Sequence, residues 1–132
     1  MNEITIPFHL VIPAIIAFVA LAFILLKRKR IVQSNRKWLW ISLGLSCGLY
    51  VLIVGGAAID DIYSQWDANR YDLDKDGFYG GNEITEAQKA AMFRLTSDTG
   101  RNLSFISGFI ISAFVSVIFY VLAKIINEFK KE

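Results

Sequence analysis

The sequence predicts an all-α membrane protein with three transmembrane helices and a polar helix-loop-helix segment between the second and third of them. Three observations lead to that prediction. The chain has 132 residues, of which 55% are hydrophobic. The apolar residues are concentrated in three blocks without any charged residue, at positions 4–26, 38–59 and 102–123. The charged residues are divided unequally among the segments that separate these blocks.

Each apolar block is long enough to cross a bilayer, because about 20 apolar residues in a helix span the hydrocarbon core. A buried helical bundle in a soluble protein is the alternative, but soluble helices carry a polar face and these blocks do not. The predicted organisation has three parts. Residues 1–58 hold the first two helices and a basic loop at 27–37, residues 59–101 form the polar segment, and residues 102–132 hold the third helix and a basic tail.

The distribution of charge predicts how the chain is threaded through the membrane. The loop at 27–37 carries basic residues and no acid, and the tail contributes Lys124, Lys130 and Lys131. The segment 60–101 carries nine acidic and five basic residues. Since basic loops stay on the cytoplasmic side, we expect the N-terminus and residues 60–101 to be extracytoplasmic and the C-terminus cytoplasmic. The expected location is a bacterial inner membrane or a plasma membrane.

The first block is expected to be retained as a helix. It has no basic residue ahead of it and basic residues directly after it, which is typical of a retained helix rather than a cleaved signal peptide.

The basic loop also indicates which partners to expect. A nucleic-acid-binding patch is one interpretation of residues 27–37. A stop-transfer anchor that faces anionic lipid is favoured because the cluster directly follows an apolar block. We therefore expect the lipid bilayer, and no nucleic acid, as a partner.

Small residues form stripes on the second and third predicted helices. The second helix contains Gly44 and Gly48, which make a G-x-x-x-G pair, and Gly55 on a similar face. The third helix has small residues at strict four-residue spacing, at Ser104, Gly108, Ser112 and Ser116. Small side chains let helix backbones approach closely in lipid. We predict that the second and third helices pack on each other through these stripes, although an interface between copies of the chain would use the same residues.

The polar segment shows helical periodicity on both sides of an acidic loop. Residues 59–66 and 84–95 each place apolar side chains at the spacing of a helix face. We expect the first stretch to continue the second transmembrane helix beyond the membrane. Residues 96–100 interrupt the pattern, and Asn102 is a candidate cap for the third helix.

The loop between these stretches has the spacing of a calcium-binding site. Asp72, Asp74 and Asp76 hold its first, third and fifth positions, followed by Gly77 at the sixth and Glu83 at the twelfth. This is the pattern D-x-[DN]-x-[DN]-G-x5-E. Calcium needs six to eight oxygen ligands, which alternate carboxylates and a bidentate glutamate supply. A solvated acidic loop with turn glycines is the alternative.

Residues 59–95 resemble the EF-hand, a helix-loop-helix calcium-binding motif. The resemblance covers that segment only. It implies that the metal ligands are Asp72, Asp74, Asp76, the backbone carbonyl of Phe78, and Glu83. The sequence departs from the motif at the eighth position, where Tyr79 replaces the usual aliphatic residue, and no second loop is present to pair with this one.

Calcium is the cofactor that these ligands favour, with magnesium as the competitor. A twelfth-position glutamate can give two oxygens, which suits calcium better than octahedral magnesium. Zinc prefers thiolate or imidazole ligands, which the loop lacks. For an extracellular site, a dissociation constant of about 10⁻⁴ to 10⁻³ M is sufficient.

The remaining residues do not indicate an enzyme, a catalytic residue or a small-molecule substrate. The chain has one histidine and one cysteine, and it lacks a G-x-S-x-G motif. We expect a small calcium-binding subunit or regulator of a larger membrane complex, or a homo-oligomer, in which outer calcium fixes or switches the geometry of the second and third helices. The alternatives are a pore-forming channel or transporter subunit gated by external calcium, and a purely structural accessory subunit.

Overall fold

The computed structural model describes residues 3–129, except for the side chain of Asn82, and within that range the chain contains helices and no strand. The helices are α1 (Phe8–Leu26), α2 (Arg28–Val32), α3 (Lys37–Asn69), α4 (Glu86–Thr96), α5 (Thr99–Asn102) and α6 (Ser104–Phe129), with a short 3₁₀ turn at Gly81–Glu83. The prediction of an all-α chain is therefore confirmed. The predicted basic tail residues Lys130 and Lys131 lie outside the described residues.

Three helices, α1, α3 and α6, are long and apolar enough to cross a membrane. Only 11 to 17% of each apolar window is buried within the chain. The exposed side chains are mostly large and apolar, for example Ile16, Leu52 and Phe114, which are 65%, 72% and 67% exposed. Such continuous apolar surface is unusual on a soluble monomer. It is the surface expected of helices that are covered by lipid.

The long helix α3 is central, because both α1 and α6 pack against it. The core between α1 and α3 consists of Leu10, Val54 and Ala58, which are 0%, 0% and 5% exposed. The contact with α6 includes a hydrogen bond that the Tyr50 hydroxyl donates to the carbonyl of Phe105 at 3.2 Å. The polar loop and its site are therefore carried by the helix that contacts both of the other candidate spans.

The small residues of α6 pack against α3, as the sequence predicts. Ser42 and Ser116 lie with their hydroxyl oxygens 2.7 Å apart, and each hydroxyl donates to the other residue's carbonyl. At Gly108, a Cβ atom would lie only 3.0 Å from Cγ2 of Ile53 and 3.1 Å from Cγ2 of Val54. The absence of a side chain at Gly108 thus allows the close approach of the two helices.

Gly44 and Gly48 of α3 face α1, so the prediction that this glycine pair packs on the third helix is wrong. A Cβ at Gly44 would meet Ile24 at 3.5 Å, and one at Gly48 would meet Leu21 at 3.9 Å. Gly55 would meet no atom within 4 Å. The reason is the helical repeat. Gly44 follows Ser42 by two residues, or about 200° around the axis, and Ser42 already faces α6.

Helix α3 continues well beyond its apolar block, which confirms the prediction that the second helix extends into the polar segment. Its 33 residues give it a length of about 50 Å, whereas a hydrocarbon core is about 30 Å thick. Helix α4 packs back against this polar extension of α3. Buried small or polar side chains from both helices occupy the contact region, namely Ser64, Ala68, Gln88 and Ala91.

The start of the third candidate span differs from the prediction. Asn102 ends α5, and α6 begins at Ser104. Asn102 therefore does not cap α6. Its amide nitrogen donates instead to the carboxylate of Asp98 at 2.8 Å, and its Oδ1 lies 2.9 Å from Nε2 of His9 at the start of α1. The contact with His9 holds the end of α5 against the start of α1, and α6 begins two residues after Asn102.

Candidate metal centre

The acidic loop begins directly where α3 ends. The amides of Arg70 and Tyr71 donate to the carbonyls of Asp67 and Ala68, at 3.3 and 3.2 Å, and close the last turn of the helix. Asp72 follows this turn and is only 4% exposed. The rigid end of α3 therefore positions the first predicted ligand.

The three aspartates of the loop converge. One carboxylate oxygen from each of Asp72, Asp74 and Asp76 lies within 4.8 Å of the others. Local hydrogen bonds explain the convergence. Oδ1 of Asp74 accepts from the amide of Asp76 at 3.2 Å, and Oδ1 of Asp76 accepts from the amide of Phe78 at 2.7 Å. Asp74 and Asp76 thereby each bend the chain two residues ahead, which helps to bring alternate side chains to one side of the loop.

Gly77 provides the sharp turn that the sequence predicts at the sixth position. Its φ angle is +88°, a region that side chains disfavour. Its amide donates to Oδ2 of Asp72 at 3.0 Å. Lys75 also has a positive φ angle, of +61°, and is the only residue other than glycine to do so among residues 3–129. The curl of the loop thus depends on backbone conformations that glycine adopts most easily.

Glu83, the predicted twelfth-position ligand, is held by backbone amides near both ends of the loop. Its Oε1 accepts from the amide of Leu73 at 2.7 Å and from that of Asp74 at 3.4 Å. Its Oε2 accepts from the amide of Gly80 at 3.1 Å. The carboxylate oxygens that converge within 4.8 Å belong to the three aspartates. In this arrangement Glu83 connects the start of the loop to its end through hydrogen bonds, and it is not part of the aspartate cluster.

The carboxylates of the loop repel one another, whereas backbone amides stabilise their charged forms. Both effects shift the pKa values of Glu83 and Asp74. The amides of Gly80 and Leu73 lower the pKa of Glu83 below its ordinary value, because they stabilise the carboxylate. At Asp74 the amide of Asp76 lowers the pKa, but desolvation and the neighbouring carboxylates of Asp76, Glu83 and Asp72 raise it more, so that its pKa is raised. A cation in the loop would relieve the repulsion that Asp74 experiences.

Tyr79, at the position where the sequence departs from the motif, connects the loop to α3. Its hydroxyl donates to the carbonyl of Ala68 at 3.1 Å. Burial raises the pKa of Tyr79, and the carboxylates of Asp72 and Glu83 raise it further. An aliphatic residue at this position cannot donate such a bond. The hydroxyl of Tyr79 indicates in the sequence that a hydrogen-bond partner is needed, but it does not indicate which one.

Phe78 presents its side chain to the surface, where it is 77% exposed. Its amide is bonded to Asp76, as described above, and the use of its carbonyl as a ligand stays a prediction.

The loop leads directly into α4. Glu83 lies in the 3₁₀ turn, and α4 begins three residues later at Glu86. Thr85 caps α4, since its side chain accepts from the amide of Gln88 at 3.1 Å.

Arg101 joins the segment that precedes α6 to the polar extension of α3. Its Nη1 lies 3.1 Å from Oδ2 of Asp60 and 3.1 Å from Oγ of Ser64, and its Nε lies 3.6 Å from Oδ1 of Asp61. Its Nη2 donates to the carbonyl of Leu95, at the end of α4, at 3.0 Å. The Arg101 side chain is only 12% exposed. In the sequence Arg101 was visible only as one of five bases among many acids, so its role was not predicted.

Comparisons of the chain with known protein families, with curated proteins and with solved structures each found no match.

Proposed function

We propose that the loop at residues 72–83 is an EF-hand-like calcium site on an integral membrane protein. The convergence of Asp72, Asp74 and Asp76 around the turn at Gly77 is the observation that carries this proposal. The donors are all oxygens, which suits a hard cation. Glu83 and the carbonyl of Phe78 complete the proposed ligand set, and magnesium competes for the same oxygens.

Calcium binding requires Glu83 to change partners. Its Oε1 accepts from the amides of both Leu73 and Asp74, so coordination of calcium by this oxygen replaces one of these two bonds. Both amides lie near the start of the loop, whereas Glu83 lies at its end. Calcium binding therefore changes how the end of the loop is held to its start, and a local rearrangement of this kind is what a calcium switch uses.

The loop is proposed to lie on the extracytoplasmic side, in a bacterial inner membrane or a plasma membrane. Basic side chains cluster at 27–37, at the end of the helices opposite the loop, whereas residues 60–101 are mostly acidic. The positive-inside rule then assigns the N-terminus and the loop to the outside and the end of α6 to the cytoplasm. Calcium is plentiful outside cells, so a dissociation constant of about 10⁻⁴ to 10⁻³ M is sufficient there.

The role that we propose is that of a small subunit or regulator of a larger membrane complex, formed with other subunits or with further copies of this chain. Three contacts support a coupling between loop and helices. The Tyr79 hydroxyl bonds the loop to α3, α4 packs on α3, and Arg101 joins the approach to α6 to Asp60 and Asp61 of α3. Calcium would thus fix or switch the geometry of α3 relative to α6.

A pore lined by the serines of α6 is the weaker proposal. Ser104, Ser112 and Ser116 are 6%, 1% and 6% exposed. At Ser116 the hydroxyl is bonded to α3 within the same chain. Side chains with these environments do not line a water-filled path between copies of the protein, so no observation favours this function.

Calorimetric titration of the detergent-solubilised protein with calcium tests the proposal. We expect calcium-dependent heat in the wild type and at least about a tenfold weaker affinity in Glu83→Gln, since loss of a residue that only supports a metal ligand already costs about that much at metal sites. Glu86→Gln is the matched control, because Glu86 is an exposed acid that pairs with Lys89 at 2.8 Å outside the loop. The proposal is rejected if the wild type gives no heat that depends on calcium.

A further inference from the structure

A pocket lies at the end of the helices opposite the acidic loop. It has a volume of about 390 Å³ and is formed between the start of α3 and the last turns of α6. Its lining combines two basic side chains, an amide and two amphipathic aromatic rings, and it contains no acid: Asn35, Arg36, Trp38, Leu39, Tyr120 and Lys124. This chemistry is that of an anion site with one apolar wall.

The side chains between α3 and α6 change from small to bulky over one helical turn. At the first level, Ser42 and Ser116 touch through their small side chains. One turn away, α3 carries Trp38 and α6 carries Tyr120, and both residues line the pocket. Trp38 also packs edge-on against Phe119, with ring centroids 6.4 Å apart. The pocket therefore lies at the level of the bulky rings, next to the close contact of the serines.

The electrostatics of the pocket favour an anion. Arg36 is the residue at the N-cap of α3, where the helix dipole is positive, and no side chain caps this end. Lys124 lies with its Nζ 5.7 Å from the centroid of the Tyr120 ring. Within the part of the chain that the structure describes, neither Arg36 nor Lys124 forms an ion pair. Both positive charges therefore line the pocket without a counterion from the described residues, and both would attract an anion bound there.

The aromatic wall carries a further indication of a missing acceptor. Nε1 of Trp38 is buried, and within residues 3–129 it has no hydrogen-bond partner. A buried donor without an acceptor is costly. A phosphate group has several acceptor oxygens and can serve Arg36 and Lys124 together. The indole N–H is enclosed by the protein, so it reaches a bound phosphate only if neighbouring side chains shift.

We propose that this pocket binds the phosphate group of an anionic lipid. The pocket lies at the ends of two helices that are apolar enough to span a membrane, and Trp and Tyr are characteristic of the headgroup boundary. Basic pockets between helices on the cytoplasmic side are suited to lipid headgroups, and Leu39 provides an apolar wall. The proposal depends on the membrane placement stated above, but it does not depend on the calcium site.

Fluorescence quenching by brominated lipids tests this proposal on the full chain. The chain has three tryptophans, Trp38, Trp40 and Trp66, so Trp40→Phe with Trp66→Phe leaves Trp38 as the only indole. This protein is reconstituted in phosphatidylcholine vesicles that contain increasing fractions of brominated phosphatidylglycerol or brominated phosphatidylcholine. We expect Trp38 to select the anionic lipid by roughly fivefold or more, since each basic side chain near an anionic surface contributes about that factor.

Two double variants separate a defined site from general attraction. Arg36→Gln with Lys124→Gln should reduce the selectivity for the anionic lipid to about one. Arg28→Gln with Lys29→Gln removes the same two residue types from α2, at the same end of the molecule but outside the pocket, and should retain most of the selectivity. All four side chains are exposed, so neither variant removes core packing.

Four other outcomes of the quenching experiment would contradict the proposal, and they can be distinguished from one another. Equal quenching by the two lipids would reject the pocket but leave the membrane placement intact. An equal loss of selectivity in the two double variants would show diffuse attraction without a site. Restoration of Trp38 emission by inorganic phosphate, at constant ionic strength, would assign the pocket to a soluble anion. Absence of quenching by either lipid would reject the membrane placement together with the pocket.

Discussion

The guanidinium of Arg101 lies 3.1 Å from the carboxylate of Asp60, and this contact joins the approach to α6 to the polar extension of α3 across 41 residues of sequence. The same guanidinium contacts Asp61, Ser64 and the carbonyl of Leu95. Because its partners belong to α3 and to the end of α4, Arg101 holds together the elements that flank the acidic loop.

We therefore expect Arg101→Gln to destabilise the outer segment. The substitution removes charge-assisted hydrogen bonds from a largely buried side chain, and each of these contributes about 1.5 to 3 kcal/mol when it is well formed. Part of this is lost to solvent screening, since Asp60 is 59% exposed. The midpoint of thermal unfolding in detergent should fall by several degrees. Arg94→Gln, at an exposed position on α4, should leave the midpoint nearly unchanged, and an equal fall in both variants would contradict the role of Arg101.

Calcium affinity should decrease as the pH is lowered. The raised pKa of Asp74 means that, without calcium, this carboxylate binds a proton at a higher pH than an ordinary aspartate. A cation must displace that proton, so protons and calcium compete. The pKa of Glu83 is lowered, so its carboxylate stays ionised to a lower pH and contributes less to the competition above that range.

The same two carboxylates also determine how the stability of the calcium-free protein changes with pH. The ionisation of Asp74 destabilises the fold above its raised pKa, and that penalty disappears as the pH falls through this value. The contribution of Glu83 is present above the ordinary pKa of a glutamate and is lost as the pH falls through its lowered pKa. Calcium titrations from neutral pH down to the ordinary pKa of an aspartate, about 3.9, check the prediction for affinity. Constant affinity over that range in wild type, together with a normal pKa of Asp74 by NMR, would contradict it.

Tyr79→Phe should weaken the attachment of the loop to α3. The variant keeps the ring but removes the hydroxyl that donates to the carbonyl of Ala68 at 3.1 Å. A hydrogen bond of this kind contributes about 1 kcal/mol, so the thermal midpoint should decrease slightly. The increase in thermal midpoint that calcium causes should also become smaller, because the loop is then less firmly attached to α3.

Tyr71→Phe is the matched control for this experiment, since it makes the same change at the start of the loop. Differential scanning fluorimetry with and without calcium compares the two variants. If Tyr71→Phe reduced the effect of calcium as much as Tyr79→Phe, the hydroxyl of Tyr79 would have no special role.

Gly108→Ala should separate α3 from α6. The added Cβ would lie 3.0 Å from Cγ2 of Ile53 and 3.1 Å from Cγ2 of Val54. Overpacking of this kind costs about 1 to 3 kcal/mol. Gly56→Ala makes the same change in α3, where a Cβ meets no atom within 4 Å, and it should be neutral or stabilising because alanine favours a helix. Unfolding in a denaturing detergent compares the two, and equal stability would contradict the close packing at Gly108.

The helices and the small-residue contact of α6 could be predicted from the sequence, because apolar length and four-residue spacing determine them locally. The partner of the glycine stripe could not. Gly44 and Gly48 have the same pattern whether they face α1 or α6, and only the rotation of α3 between its two neighbours decides.

The loop shows the same division between local and distant causes. The spacing of Asp72, Asp74 and Asp76 predicts their convergence, because adjacent turns bring them together. The bonds from Tyr79 to Ala68 and from Arg101 to Asp60 could not be predicted, because they depend on how α3, α4 and α5 pack. The position of Glu83 was also not evident, since backbone amides compete for the carboxylate that the sequence pattern assigns to calcium.

We propose above that calcium in the loop fixes the position of the helices that follow the loop relative to α3. Pulsed dipolar spectroscopy between nitroxides at Leu52 on α3 and Phe93 on α4 measures this directly, in a Cys47→Ser background. Both positions are more than 70% exposed, at 72% and 71%. We expect saturating calcium to narrow or shift the distance distribution, and we expect Glu83→Gln to abolish this response. Identical distributions with calcium and with a chelator, in protein shown to bind calcium, would contradict the claim.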